Sequence, residues 1–100
     1  MVEKEFAPVS PGEMLKEEFL AEYGMSQNQL ARVIGISPSR IAEIVNNRRR
    51  ITADTALRLS LYFGNTPEFW MNLQTHYDLK MARRNLKAAD AKRIKARRAA

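Results

Sequence analysis

The segment SQNQLARVIGISPSRIAEIVN, residues 26–46, constrains the fold more than any other part of this chain. Its apolar residues fall at helical spacing in two short runs, and Gly35 separates the runs. Glycine adopts the left-handed conformation that ends many helices at little cost. Ser37 and Pro38 follow, and this pair is typical of a helix start, because serine caps free N–H groups and proline fits the first turn. The segment therefore predicts two short helices joined by a tight turn, a helix-turn-helix.

The two predicted helices have one apolar face each, with spacings of three and four residues. Ala31 is small, so the second helix can cross close to the first. The residues expected to point inward are Leu30, Ala31, Ile34, Ile41, Ile44 and Val45.

The outward face of the second helix is expected to meet DNA, because this helix enters the major groove in helix-turn-helix proteins. Arg40 can donate two hydrogen bonds to guanine, and Glu43 can accept one from cytosine or pair with a neighbouring side chain. Asn46 and Asn47 stand at the helix end, nearer the turn. The candidate base-reading residues are Ser39, Arg40, Glu43 and Asn47.

A second group of residues is placed to bind DNA phosphates. Helix starts at Gln27, Ser37 and Thr52 offer N–H groups to an anion, and three consecutive arginines follow the second helix. A run of charges can equally form a solvated face. The candidate phosphate-binding residues are Gln27, Ser37, Arg48, Arg49, Arg50 and Thr52.

The net charge of +6 is unevenly distributed along the 100 residues. Residues 78–100 carry +7 and residues 1–77 carry −1, so the high isoelectric point belongs mainly to the C-terminal segment. Within the first part, residues 26–58 carry +4, which agrees with a DNA-binding surface at the helix-turn-helix.

Composition argues against several other classes of protein. The chain has no cysteine and a single histidine, His76, so we expect no disulfide, no metal site and no cofactor. It also lacks paired carboxylates in an apolar setting and a Gly-rich phosphate loop, so we do not expect an enzyme. No apolar run reaches the roughly 18 residues of a membrane span. No signal pattern is seen at the N-terminus, and we expect a cytoplasmic protein.

Five helix starts predict an all-α, compact five-helix bundle. Besides Ser26 and Ser37, they are Ser10-Pro11, Thr52 and Thr66-Pro67.

We expect an N-terminal arm at 1–9, the DNA-binding domain at 10–83, and a basic tail at 84–100 that is a frayed helix or disordered. In the fourth helix, the residues expected to be buried are Ala56, Leu57, Leu61 and Phe63.

The fifth predicted helix carries large apolar residues at three- and four-residue steps. This spacing fits a core helix, and Phe69 and Leu73 suit the core. It also fits a dimer contact, because a protein that reads palindromic DNA needs two motifs about 34 Å apart. The candidate dimer residues are Trp70, Leu73 and Tyr77.

These residues together resemble the HigA (also called VapI) antitoxins of the Xre/Cro/C1 helix-turn-helix family, whose domain is lambda-repressor-like. The resemblance covers roughly residues 6–83. It rests on Ser10-Pro11-Gly12-Glu13, on LKEEFL at 15–20, on residues 25–31, and most specifically on ITADTALRL followed by TPEFWMNLQ within residues 46–79. It implies a homodimer that binds a palindromic operator, represses its own operon and neutralises a RelE-like (HigB-type) toxin that cuts mRNA.

Two alternatives remain open at this point. The first is a stand-alone repressor, which would bind DNA in the same way but have no toxin partner. The second is a general nucleic-acid-binding protein, in which the basic tail and not the helix-turn-helix provides the affinity. The acidic first helix is either a solvated face or a docking surface for a basic toxin. The candidate docking residues are Glu17, Glu18 and Glu22.

Overall fold

The structure is a computed structural model that describes residues 9–94. Residues 1–8 of the expected arm and 95–100 of the expected tail lie outside the described residues. The described part contains helices and no strand, which confirms the all-α prediction. Helix α1, residues 11–23, is continuous, with a π-helical middle at Leu15–Leu20. The others are α2 (Gln27–Ile34), α3 (Pro38–Val45), α4 (Ala53–Phe63), α5 (Pro67–Asn85) and α6 (Ala88–Arg93).

Side-chain caps start the first five helices, as the sequence predicts. Each cap oxygen accepts a hydrogen bond from the backbone N–H three residues later, which satisfies a donor that the helix leaves free. At α1 and α2 the bond is reciprocal, because Glu13 and Gln29 bond back to the cap residue. The five caps are Ser10, Ser26, Ser37, Thr52 and Thr66.

Trp70 lies at the centre of the core and is 0% exposed. Its indole Nε1 donates to Oδ1 of Asn65 at 3.0 Å. The rings of Phe19, Phe63 and Phe69 surround it, with centroids between 4.8 and 6.2 Å away. The assignment of Trp70 to a dimer contact is therefore wrong, because a fully buried side chain has no surface left for a second copy.

Helix α4 packs with a different face from the one that its leucines suggest. Leu57 is 52% exposed and Leu61 is 84% exposed, so the expectation that both are buried is wrong. Thr55 and Ser60 are buried instead. They tolerate burial because their hydroxyls find partners within the helix, the Thr52 hydroxyl at 3.4 Å and the Leu57 carbonyl at 2.8 Å.

Helix α1 lies against the C-terminal end of α3. At Gly12 an added Cβ would collide with the backbone oxygen of Ile44 and lie 2.9 Å from that of Val45, so only glycine fits there. The π-helical turns then bring Leu15 and Leu20, five residues apart, to the buried side together. The position of α3 is thus set by backbone contact with α1.

Helix α6 is the one helix that the five-helix prediction does not contain. It lies within residues 84–100, where the sequence predicts a frayed helix or disorder, and none of its residues is buried. It therefore adds nothing to the core of the bundle.

Candidate nucleic-acid interface

Helix α3 presents one polar face to solvent. Its apolar residues, Ile41, Ile44 and Val45, are buried as predicted. Ser39 is exposed and Arg40 is partly exposed, so their side chains are accessible from outside. The second helix of a helix-turn-helix reads the DNA groove through an accessible polar face of this kind.

The turn between α2 and α3 is held by a side chain that the sequence reasoning did not select. Gly35 has φ +74°, as a left-handed helix end requires. Arg58 of α4 donates from one guanidinium nitrogen to the carbonyl oxygens of Ile34 at 2.8 Å and Gly35 at 3.2 Å. Its Nε pairs with Asp54 at 2.9 Å. The i,i+4 spacing of Asp54 and Arg58 was visible in the sequence, but the contact with the turn depends on the tertiary fold.

Two candidate base-reading residues are already engaged by their own chain. Oε1 of Glu43 lies 2.7 Å from Nε of Arg49, in an ion pair that is about half exposed. Asn47 has φ +64° and its side-chain amide donates to the hydroxyl of Tyr77. Glu43 is on α3 and Asn47 lies just beyond its C-terminal end, and both are at least partly exposed, but each would have to exchange its present partner for a base.

A hydrogen-bond network ties the segment after α3 to helix α5. Arg50 pairs with Asp78, and the other carboxylate oxygen of Asp78 accepts from Gln74 at 3.0 Å. Gln74 is 4% exposed, and its Oε1 accepts from the backbone N–H of Ile51 at 2.8 Å. The sequence reasoning missed Gln74 and Asp78, because a polar residue on a long helix looks like a solvated one.

Four of the predicted DNA contacts come together around one depression of about 190 Å³ beside α3. Three of them carry guanidinium groups, and the fourth caps the N-terminus of α4, where the helix dipole favours an anion. Asp54 and Thr55 complete the lining. The four are Arg40, Arg49, Arg50 and Thr52.

The remaining candidate residues lie at separate places. Gln27 and Ser37 start α2 and α3, and Arg48 is exposed with no acidic partner among residues 9–94. Leu73 is partly buried against the core.

In the described part of the chain, no group of acidic, cysteine or histidine residues could hold a metal ion, and no helix is suited to crossing a membrane. The acidic candidates Glu17, Glu18 and Glu22 are all exposed on α1.

Comparison with known proteins supports the assignment of a helix-turn-helix. A family model described as "Helix-turn-helix" (HTH_3) matches residues 15–70. Virulence-associated protein I of Dichelobacter nodosus is 55% identical over 78 residues, which cover 78% of this chain and 72% of that protein.

Two solved structures are similar over nearly the whole fold. An addiction module antidote protein of the HigA family from Coxiella burnetii is 47% identical, with a TM-score of 0.85, over 92% of this chain and 100% of that one. The Pseudomonas aeruginosa antitoxin HigA, solved with the higBA promoter, is 43% identical, with a TM-score of 0.76, over 88% and 91% of the two chains. This chain therefore belongs to the Xre-type helix-turn-helix family that includes the HigA antitoxins and the VapI-like regulators, and it is not an enzyme.

Proposed function

We propose that this protein is a sequence-specific DNA-binding antitoxin. It acts as a homodimer, represses its own toxin-antitoxin operon at a palindromic operator, and neutralises a RelE-like toxin that cleaves mRNA. The observation that carries this proposal is the basic depression beside the accessible face of α3, where Arg40, Arg49, Arg50 and Thr52 meet. The HigA structure solved with promoter DNA supports it, because the two folds match over most of both chains.

Base recognition in this proposal falls to the first turns of α3. Ser39 and Arg40 are accessible, and Arg40 can bind a guanine edge with two hydrogen bonds, which are worth about 1–3 kcal/mol of discrimination. Glu43 and Asn47 contribute only after they release Arg49 and Tyr77. The residues that can contact bases without first releasing a partner therefore lie at the N-terminal end of α3.

Phosphate binding orients α3 in the groove. The backbone N–H groups at the starts of α2, α3 and α4, capped by Ser26, Ser37 and Thr52, suit phosphate oxygens. Arg48 is free of ion pairs within residues 9–94, and Arg49 and Arg50 are held at the rim by acidic partners. These contacts give affinity that falls as salt rises.

Neutralisation of a toxin is supported by the antidote and antitoxin names of the similar structures. The exposed carboxylates of Glu17, Glu18 and Glu22 give a basic toxin a surface of opposite charge. Since operator DNA and mRNA are both found in the bacterial cytoplasm, the proposed function implies a cytoplasmic protein.

One experiment tests both halves of the proposal. The tagged protein is recovered from its native host, co-purifying proteins are identified by mass spectrometry, and the same preparation is titrated against DNA from upstream of its own gene. A stoichiometric small basic partner together with operator binding is the expected result. Operator binding without a partner would leave a stand-alone repressor, and absence of operator binding would refute the proposal.

A further inference from the structure

The three consecutive arginines after α3 are held in three different ways. Arg48 has no acidic partner in the described part of the chain, and Arg49 pairs with Glu43 of the neighbouring helix α3. Arg50 pairs with Asp78 on α5, which lies 28 positions further along the chain. Among the described ion pairs, this is the one that ties an arginine of the run to a distant helix of the fold.

The carboxylate of Asp78 is itself held in place. Its Oδ1 accepts a hydrogen bond from Nε2 of Gln74 at 3.0 Å, while Oδ2 accepts from Arg50. Gln74 is 4% exposed and is fixed in turn by the backbone N–H of Ile51. An isolated surface ion pair contributes little because two mobile side chains must be ordered, whereas a network with one ordered member restrains the other. The anchored carboxylate therefore restrains Arg50.

The carboxylate also lies on the side of Arg50 that is away from the proposed phosphate contacts. Arg50 lines two adjacent depressions, one of about 190 Å³ with Arg40 and Thr52, and one of about 310 Å³ with Gln74 and Asp78. Asp78 lines only the second of them. Its bond uses Nη1 of Arg50, which leaves the Nη2 and Nε donors for a phosphate oxygen. Asp78 can thus hold the guanidinium group without occupying the basic depression.

We propose that Asp78 is a positioning residue for operator binding, which holds Arg50 where its guanidinium group meets a DNA phosphate. The inference rests on the proposed function and adds a residue that does not itself contact DNA. The Arg50 side chain is 63% exposed, so without a partner it samples many rotamers, and ordering it on DNA would weaken binding. Asp78 orders it before DNA arrives.

This role has the opposite sign to the effect of charge alone. A carboxylate near a polyanion repels it, so charge alone predicts that loss of Asp78 tightens binding. Positioning predicts that the same loss weakens binding, because Arg50 becomes mobile. The sign of the change in affinity therefore separates the two effects.

The test is titration of Asp78→Asn against duplex DNA from upstream of the protein's own gene. Asparagine keeps an oxygen that accepts from Gln74 but has no charge to hold the guanidinium group. We expect the Kd to rise by about two- to tenfold for each half-site, the cost of ordering one long side chain on binding. Asp90→Asn is the matched control, because Asp90 also pairs with an arginine, Arg93, but on α6. Its Kd should stay at the wild-type value.

Two further variants separate positioning from a merely structural role. In the Arg50→Gln background there is no guanidinium group to position, so Asp78→Asn should weaken binding no further. Asp78→Glu keeps the charge, and the long side chain of Arg50 can follow it, so most of the affinity should be retained. A further loss in the Arg50→Gln background would show that Asp78 acts through Gln74 and the backbone instead, and would overturn the proposal.

The other contrary outcomes are equally distinct. An unchanged or lower Kd in Asp78→Asn, an equal rise in Asp90→Asn, or an equal loss in Asp78→Glu would each overturn the proposal. Each variant is titrated under conditions where urea denaturation shows it to be folded, so that a change in Kd reports binding. Failure of the wild type to bind this DNA would refute the proposed function and the inference with it. Wild-type binding that Asp78→Asn matches would refute the inference alone.

Discussion

The side-chain oxygen of Gln74 accepts a hydrogen bond from the backbone N–H of Ile51 at 2.8 Å, although the two residues are 23 positions apart. Ile51 immediately precedes the cap of α4 and follows the three arginines. Through Asp78, the same Gln74 is connected to Arg50. Helix α5 therefore fixes the path of the segment that carries most of the proposed phosphate contacts.

Replacement of this glutamine should cost stability. In Gln74→Met the side chain keeps a similar size but offers no acceptor, so the buried N–H of Ile51 is left unsatisfied. We expect the free energy of unfolding to fall by about 1–3 kcal/mol, measured by urea denaturation. Asn72→Met, at an exposed position of the same helix, should change it by less than about 0.5 kcal/mol. Equal effects of the two variants would refute the role of Gln74.

Gly12→Ala should reverse the usual effect of alanine in a helix. Alanine normally stabilises a helix interior by roughly 0.5–1 kcal/mol relative to glycine. Here the new Cβ meets the backbone of α3, so we expect destabilisation near the upper end of ~1–3 kcal/mol and weaker operator binding. Gly24→Ala, which meets no atom within 4 Å but has φ +62°, should cost stability without weakening operator binding. Stabilisation by Gly12→Ala would contradict the packing described.

Arg40→Ala should relax base preference at one base pair in each half-site. The lost bidentate contact is worth about 1–3 kcal/mol of discrimination. Selection of binding sites from a randomised pool measures this change directly. Arg32→Ala, at an exposed position of α2, should leave the selected sequence unaltered. An unchanged preference in Arg40→Ala would remove this residue from the base-reading set.

The arginine run should determine much of the salt dependence of operator binding. Each phosphate contact contributes about 0.9 to the slope of log K against log salt. Replacement of Arg48, Arg49 and Arg50 by glutamine should therefore lower the slope by about 2.7 in total. A variant with the same loss of charge near the tail, at Arg83, Arg84 and Lys87, serves as the control and should keep the slope. The opposite ranking of the two variants would favour binding led by the tail.

Charge reversal on α1 should weaken binding of the toxin. In Glu17→Lys, Glu18→Lys and Glu22→Lys combined, three exposed carboxylates become cations facing a basic partner. We expect slower association and loss of affinity that is greatest at low salt, measured by surface plasmon resonance. Glu68→Lys, exposed on another helix, should leave the affinity intact. Unchanged affinity in the triple variant would assign these glutamates to a solvated face.

The sequence predicted best what local chemistry decides. Caps such as Ser26 and Ser37 act on N–H groups three residues away, and Gly35 is needed for a local backbone angle. These effects do not depend on the rest of the fold. The helix-turn-helix and the order of the first five helices followed from them.

The errors arose where tertiary packing decides. The sequence pattern predicted burial of Leu57 and Leu61, because leucine is usually buried. Thr55 and Ser60 lie on the inner face of α4 instead, since their hydroxyls are hydrogen-bonded there. The burial of Gln74 was not predicted, because a polar residue on a long helix is usually exposed to solvent. Its burial is favourable only because Ile51 and Asp78, distant in sequence, supply its partners.

The bond from Arg58 to the carbonyls of Ile34 and Gly35 bears on the modularity of the DNA-reading element. Residues 26–46 hold the motif, but one of the groups that fixes its turn comes from α4. A peptide or chimera limited to those residues would carry the base-contacting side chains. It would lack the guanidinium group that binds the turn between α2 and α3. The smallest transplantable reading unit therefore extends at least through Arg58.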